Sequence, residues 1–191
     1  SFLASYAIKY NKNVSIITAP IDTDKFCPIE KKENKNEIVL GWIGSSFTVM
    51  QLKLIISVLR EISTFYPSVV LKLIGADDDN ITYEGIRVKK VNWSPETVVK
   101  ELQSFDIGLM PLDNHPFNNG RLSYKMVQYL AVGIPIVASN VGLHKYVVED
   151  GKNGFLVNNN TEWFEKLSLL IDDFQLRKNL GKYGRNTVVN K

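Results

Sequence analysis

The sequence predicts a doubly wound α/β domain built around a parallel sheet. Three observations carry that prediction. Short apolar runs alternate with amphipathic stretches through most of the 191 residues, which is the pattern of repeated βαβ units. The runs lack strict apolar–polar alternation, as expected of strands covered by helices on both faces. Gly, Ser or Asn follows several of them, where a strand would leave the sheet and enter a loop.

Taken in order, residues 37–44 (EIVLGWIG) form the expected first strand, and 49–65 its amphipathic helix, closed off by Pro67. Residues 69–75 (VVLKLIG) are a second strand and 86–91 (IRVKKV) a third, followed by a helix over 95–103. Residues 106–112 (DIGLMPL) are a fourth strand. A helix beginning at Arg121 is stopped by Gly133 and Pro135, and 134–139 (IPIVAS) is a fifth, buried strand. Residues 154–157 (GFLV) are a last short strand, and two helices from Thr161 onward complete the chain. At the front, 2–9 has a helical pattern and 14–19 (VSIITA) that of a strand. A polar, proline-marked stretch, PIDTDKFCPIEKKENKNE, separates both from the rest. The expected division is therefore 1–20 as the tail of a preceding domain, 21–36 as a linker and 37–191 as the domain proper.

Composition narrows the function. A net charge of +3, spread evenly and without a nucleic-acid motif, argues against RNA or DNA as a partner. Cys27 is the sole cysteine, which excludes a disulfide framework and a cysteine metal site. His115 and His144 have no ligand partners at metal spacing and read as surface residues, so no metal is expected. A reducing, cytoplasmic setting is the default. No run is long enough to cross a bilayer, SFLASYAI lacks the features of a signal segment, and the start at Ser1 suggests a piece of a longer protein.

The most informative stretch is 120–142, GRLSYKMVQYLAVGIPIVASNVG. At about 100° per residue, Arg121, Lys125 and Gln128 share one narrow sector of a helix, while Leu122, Met126, Val127 and Leu130 face the other way. Arg121 is expected in the first helical turn. There the macrodipole disfavours a cation unless an anion is bound; an ordinary solvated face is the alternative. Ligands of open parallel sheets bind outside the carboxyl ends of the strands. Four segments meet that description: Gly44-Ser45-Ser46, Asn92-Trp93-Ser94, residues 113–120 and residues 139–142. Gly44 and Gly142 would let backbone approach a phosphate, Ser45 and Ser46 would donate hydroxyls, and Thr48 would cap the next helix, although ordinary strand-to-helix turns favour the same residues. Trp93 could stack on a nucleobase or pack into the core; Trp163, on an amphipathic terminal helix, reads as core.

These segments, taken together, resemble the C-terminal, donor-binding half of a GT-B glycosyltransferase of the large retaining family 4. The resemblance runs from Asn13 to Asn190. YKMVQYLAVGIPIVASNVG followed by VVEDGKNGFLV is its most specific part; DIGLMPL, WFEKLSLLIDD and LRKNLGKYGR fit in order. It implies a Rossmann-like fold and a nucleoside-diphosphate sugar, UDP- or GDP-linked, as substrate, with neither cofactor nor metal. It also implies sugar transfer with retention to a glycan or lipid-linked acceptor held by a preceding domain. Inactivity of the fragment alone is expected, with cytoplasmic location and peripheral membrane association of the full-length protein. Loops and resemblance together place the donor against Gly44, Ser45, Ser46, Trp93, Gly120, Arg121, Lys125, Gln128, Asn140 and Gly142.

The chain also departs from the family. Gly120 and Gln128 stand where it carries a spaced pair of glutamates, Ser45 and Met50 where it carries an arginine and a lysine, and Tyr146 where it carries a glutamate. Arg121 and Lys125 supply cations from a different element. An active subfamily is the reading that compensation favours. A non-catalytic nucleotide-sugar-binding domain and a sugar-nucleotide epimerase of the same fold are the alternatives.

Overall fold

The computed structural model describes residues 2–17, 20–33, 36–76, 81–121 and 123–190. Six strands form one fully parallel sheet: β1 (Ile38–Ile43), β2 (Val69–Ile74), β3 (Val88–Val91), β4 (Ile107–Met110), β5 (Ile136–Ser139) and β6 (Gly154–Val157). Their spatial order is β3-β2-β1-β4-β5-β6, so the chain reverses its direction of travel between β1 and β4. At such a switch point the connections leave on opposite sides and open a crevice. All six strands coincide with predicted runs. The expected strand over 14–19 does not form: residues 14–17 are irregular, and 18 and 19 lie outside the described residues. Ile16 and Ile17 are exposed, with no ladder partner among the described residues.

The helices are α1 (Phe2–Ala7), α2 (Ser46–Val49), α3 (Ile56–Phe65), α4 (Val98–Gln103), α5 (Tyr124–Ala131), α6 (His144–Val147), α7 (Asn160–Asp172) and α8 (Phe174–Val189). A 3₁₀ segment over Met50–Ile55 joins α2 to α3, so the helix predicted from Val49 is one helical run that starts earlier and tightens in the middle. Strand β1 shows why two layers of helix are needed. Ile38, Leu40 and Trp42 enter one core with Leu59 of α3 and Leu167 of α7, while Val39 and Ile43 enter the other with Leu102 of α4 and Met126 of α5. Trp163 is buried in the first core as expected.

The segment ahead of β1 is held against this domain. The Arg185 guanidinium of α8 donates to the carbonyls of Thr23, Phe26 and Ala131, and the Gln103 amide donates to that of Cys27. Among the described residues, no helix is long and apolar enough to cross a membrane.

Pairing between β1 and β4 is short: Leu40 with Ile107 and Gly41 with Gly108. Beyond it, the buried Ile43 N–H donates to the Tyr129 hydroxyl of α5 at 3.0 Å. Tyr129 and Phe105 meet edge to face, and a Cβ on Gly41 or Gly108 would collide with their rings. Tyr129→Phe keeps the wedge but orphans a buried N–H, and is expected to cost about 1–3 kcal/mol. Urea unfolding measures it; a loss below about 0.5 kcal/mol would deny the hydroxyl this role.

Candidate functional site

A cavity of about 550 Å³ opens at the carboxyl ends of β1, β2 and β3, bounded on the other side by the start of α5. Six of the ten residues singled out from the sequence line it: Gly44, Ser45, Trp93, Arg121, Lys125 and Gln128. The wheel that grouped Arg121, Lys125 and Gln128 was right about the shared face and wrong about how Arg121 reaches it. Residues Pro116–Gly120 form a 3₁₀ turn, Arg121 follows in extended backbone (φ −81°, ψ 114°), and α5 begins only at Tyr124. Arg121 therefore lies ahead of the helix and not in its first turn. Leu122, expected on the core face, is outside the described residues; Met126 and Leu130 are buried as expected, while Val127 is partly buried.

Charge in this cavity is one-sided. Among the described residues no carboxylate forms an ion pair with Arg121 or Lys125. The Lys125 ammonium instead sits 4.0 Å from the ring centroid of Trp42, a fully buried residue of β1. The electron-rich indole face attracts a cation but cannot neutralise it. Burial first, and repulsion from Arg121 second, push the Lys125 ammonium down to about 7.

The loop after β1 is built around its glycine. A Cβ on Gly44 would strike the Trp42 ring and the Thr48 hydroxyl, so glycine is required there by packing as well as by any ligand. Ser45, and not Thr48, is the N-cap of α2; the Thr48 hydroxyl accepts from the Ser45 N–H at 3.1 Å. Gly75, missed in the sequence, also lines the cavity, with φ +74° and a site for Cβ only 2.7 Å from the Gly44 carbonyl oxygen. Its signal was a glycine ending the β2 run. Trp93 is 56% exposed and presents its side chain to the cavity, so the core alternative does not hold.

Four predicted residues do not line the cavity. Ser46 begins α2 and Gly120 ends the 3₁₀ turn. The Asn140 amide donates to the Asn158 side chain at 3.1 Å, and Gly142 serves a turn at φ +52°. The β5 loop does not line the cavity, and it meets the cavity residue Ser123 through His144. That residue, read as a surface histidine, is fully buried and bridges the Ser139 carbonyl and the Ser123 hydroxyl. No periodicity in its short helix could have signalled this. His115 is exposed as expected; its Nδ1 accepts from the Phe117 N–H.

A second cavity, of about 260 Å³, lies at the opposite edge of the sheet, beside Asp106 and Gly133. Its most buried cations are already engaged. Arg177 donates to the Leu170 and Ile171 carbonyls, Arg185 to three more, and Lys31 pairs with Asp106 at 3.2 Å. Among the described residues, the buried cations without a carboxylate or carbonyl partner are therefore those at the carboxyl edge.

A parallel sheet in this order, with two cations that no described carboxylate pairs and an exposed indole at its switch-point edge, defines an α/β domain with an electropositive crevice. The chain belongs to the glycosyl transferases group 1 family, whose model matches residues 37–173. The D-inositol 3-phosphate glycosyltransferase of Paenarthrobacter aurescens (strain TC1) is 31% identical over 119 residues, 58% of this chain and 28% of that protein. The C-terminal domain of the group 1 family protein LpcC from Francisella tularensis superposes with a TM-score of 0.69, covering 90% of this chain and 97% of that one at 17% identity. Anabaena HepE in complex with UDP-glucose gives 0.70, covering 92% of this chain and 52% of that one at 18% identity. The fold is thus that of the C-terminal domains of GT-B glycosyltransferases. The chain spans less than a third of the length of the curated relatives it matches.

The buried ammonium has a measurable cost. Between pH 7 and 10.5 the unfolded chain holds a proton on Lys125 that the folded chain has released, so this group's contribution to stability rises with pH across that window. Lys125→Met is expected to stabilise the fold by about 1–3 kcal/mol at pH 6, with the gain shrinking toward pH 10. Denaturant melts at both pH values measure it; a variant less stable than wild type at pH 6 contradicts the assignment.

Proposed function

We propose that this chain supplies the donor site of a glycosyltransferase that moves a sugar from a nucleoside-diphosphate sugar to a glycan or lipid-linked acceptor. The observation that carries the reading is the pair Arg121 and Lys125, without carboxylate partners among the described residues, on one cavity with Trp93. Breaking the bond between the anomeric carbon and the diphosphate leaves negative charge on the departing phosphate. Preorganised cations in a site poor in water stabilise that charge more than water would. Here Arg121 and Lys125 take the role that a divalent ion fills in many diphosphate-releasing reactions.

The remaining lining suits the rest of such a donor. Trp93 offers a flat face for a base, and the Gln128 amide offers hydrogen bonds to sugar or ribose hydroxyls without adding a negative charge beside the phosphates. Gly44 and Ser45 present backbone and a small hydroxyl at the end of β1. The UDP-glucose complex of HepE supports a UDP-linked donor. Retention of configuration, metal independence and a cytoplasmic reaction at the inner face of a membrane follow from the family resemblance and complete the proposal. We assign 37–191 to the donor domain, 21–36 to the linker and 1–20 to the end of the acceptor domain, so that the chain alone binds donor without transferring sugar.

Calorimetry with UDP and GDP tests the reading directly. Weak binding of one of them is expected, reduced about ten- to a hundredfold by Arg121→Ala or Lys125→Ala, the range of one lost charge-assisted contact. Wild-type binding should weaken as pH climbs above 7, because the ligand needs Lys125 protonated and the empty site releases that proton at about 7. Binding that ignores both substitutions would refute the diphosphate assignment. Nucleotide release by the full-length protein in the presence of acceptor separates transfer from isomerisation and from binding alone.

A further inference from the structure

The donor reading leaves the buried His144 without a role, yet its two ring nitrogens are fixed with opposite polarity. Nδ1 lies 2.8 Å from the Ser139 carbonyl oxygen. A carbonyl only accepts, so Nδ1 carries the hydrogen. In the neutral ring Nε2 is then bare, and it accepts the hydroxyl hydrogen of Ser123 at 3.2 Å. Ser123 is the N-cap residue of α5 and lines the cavity beside Arg121 and Lys125. It makes no capping bond to the helix, and its hydrogen points to His144. Toward the cavity this hydroxyl offers lone pairs alone, which is the wrong polarity for a phosphate oxygen.

We propose that, within the donor site inferred above, His144 is a positioning residue that takes up one proton when diphosphate binds and thereby turns the Ser123 hydroxyl from acceptor into phosphate donor. The proton comes from solvent and binds Nε2. The new Nε2–H donates to Ser123 Oγ, the Ser123 O–H rotates into the cavity toward a non-bridging phosphate oxygen, and Nδ1–H keeps its bond to Ser139. No bond to carbon or phosphorus changes in this step.

Electrostatics supply the coupling. Burial holds the imidazole below its ordinary range and the Ser139 carbonyl opposes that; Arg121 and Lys125, from the approach to α5 and from α5 itself, depress it further. On its own helix Lys145 and Tyr146 are exposed, and no carboxylate among the described residues pairs with the ring. A diphosphate between Arg121 and Lys125 offsets the two charges that disfavour the imidazolium. Ligand binding and ring protonation therefore favour each other, and by linkage to the same extent. The device also gives the β5 loop, which does not touch the cavity, a hydrogen-bonded path into it.

The chain has two histidines, so ring-nitrogen NMR of ¹⁵N-histidine-labelled protein reports His144 beside an exposed reference, His115. Without nucleotide, His144 is expected as the neutral Nδ1–H tautomer between pH 6 and 8. Under saturating UDP or GDP its titration midpoint should rise by about one unit or more, while that of His115 moves little. Ser123→Ala, which leaves the imidazole in place, should weaken nucleotide binding about tenfold at pH 6.5 and little at pH 8.5. Ser123→Thr should restore it. Nucleotide binding with an unmoved His144 midpoint, or an equal cost of Ser123→Ala at both pH values, overturns the inference and spares the donor site. Absence of binding by both nucleotides overturns the donor-site reading, and this inference with it.

Discussion

One hydroxyl at the seam between β1 and β4 fixes the geometry on which the site depends. The two strands pair over only two residue pairs, and a switch point that opened without a filler would leave the Ile43 N–H buried and unbonded. Tyr129 supplies the acceptor. Its ring and that of Phe105 need room against the sheet, and Gly108 and Gly41, respectively, provide it by lacking a Cβ. A glycine inside a strand is a weakness in propensity, so two on neighbouring strands at one level mark a close approach. Lys125 lies one helical turn before Tyr129, so the contact that anchors α5 also sets the height at which the ammonium stands over Trp42.

The electrostatic design follows from that anchoring. Surface cations usually sit beside a carboxylate or in open water, where their energies are small. Lys125 has neither, and its indole neighbour recovers only part of the lost hydration. Arg121, carried on an extended segment ahead of the helix, adds repulsion. Such a cluster is destabilising while empty, and the missing counter-charge is what the proposed diphosphate would supply. Stability and ligand affinity are opposed at the same two residues, a trade common at functional sites.

The parts of this molecule visible in the sequence are those with a period. Strands covered on both sides announced themselves as apolar runs, and all six are where those runs lie. The face shared by Lys125 and Gln128 followed from helical geometry. What escaped has no period. Arg121 was drawn into the helix because its spacing from Lys125 is helical, although Pro116–Gly120 turns first. His144 sits in a single helical turn, and the hydrogen bond that ties its buried ring to Ser123, just ahead of α5, joins residues 21 positions apart. Trp42 belongs to an apolar run and gave no hint that an ammonium rests on its face. The 14–17 segment failed for the converse reason: its residues favour a strand, but a strand requires a neighbour, and no strand among the described residues pairs with it.

The departures from the family pattern can be read against the same geometry. Ser45 and Gln128 line the cavity, whereas Gly120 ends a turn beside it, and Met50 and Tyr146 are exposed and do not line it. Loss of cations from the β1 loop therefore leaves that wall small and neutral, with Gly44 and Ser45 facing across to Arg121 and Lys125. Replacing a glutamate by Gln128 on the opposite wall removes a negative charge from beside two cations that already lack partners. Each change alone would unbalance a diphosphate site. Together they leave one wall small and neutral and the other carrying Arg121 and Lys125 without a competing carboxylate, the field that the proposed diphosphate would need. Decay without a ligand would carry no such constraint, because an ammonium held over a buried indole beside a second cation is costly while the site is empty.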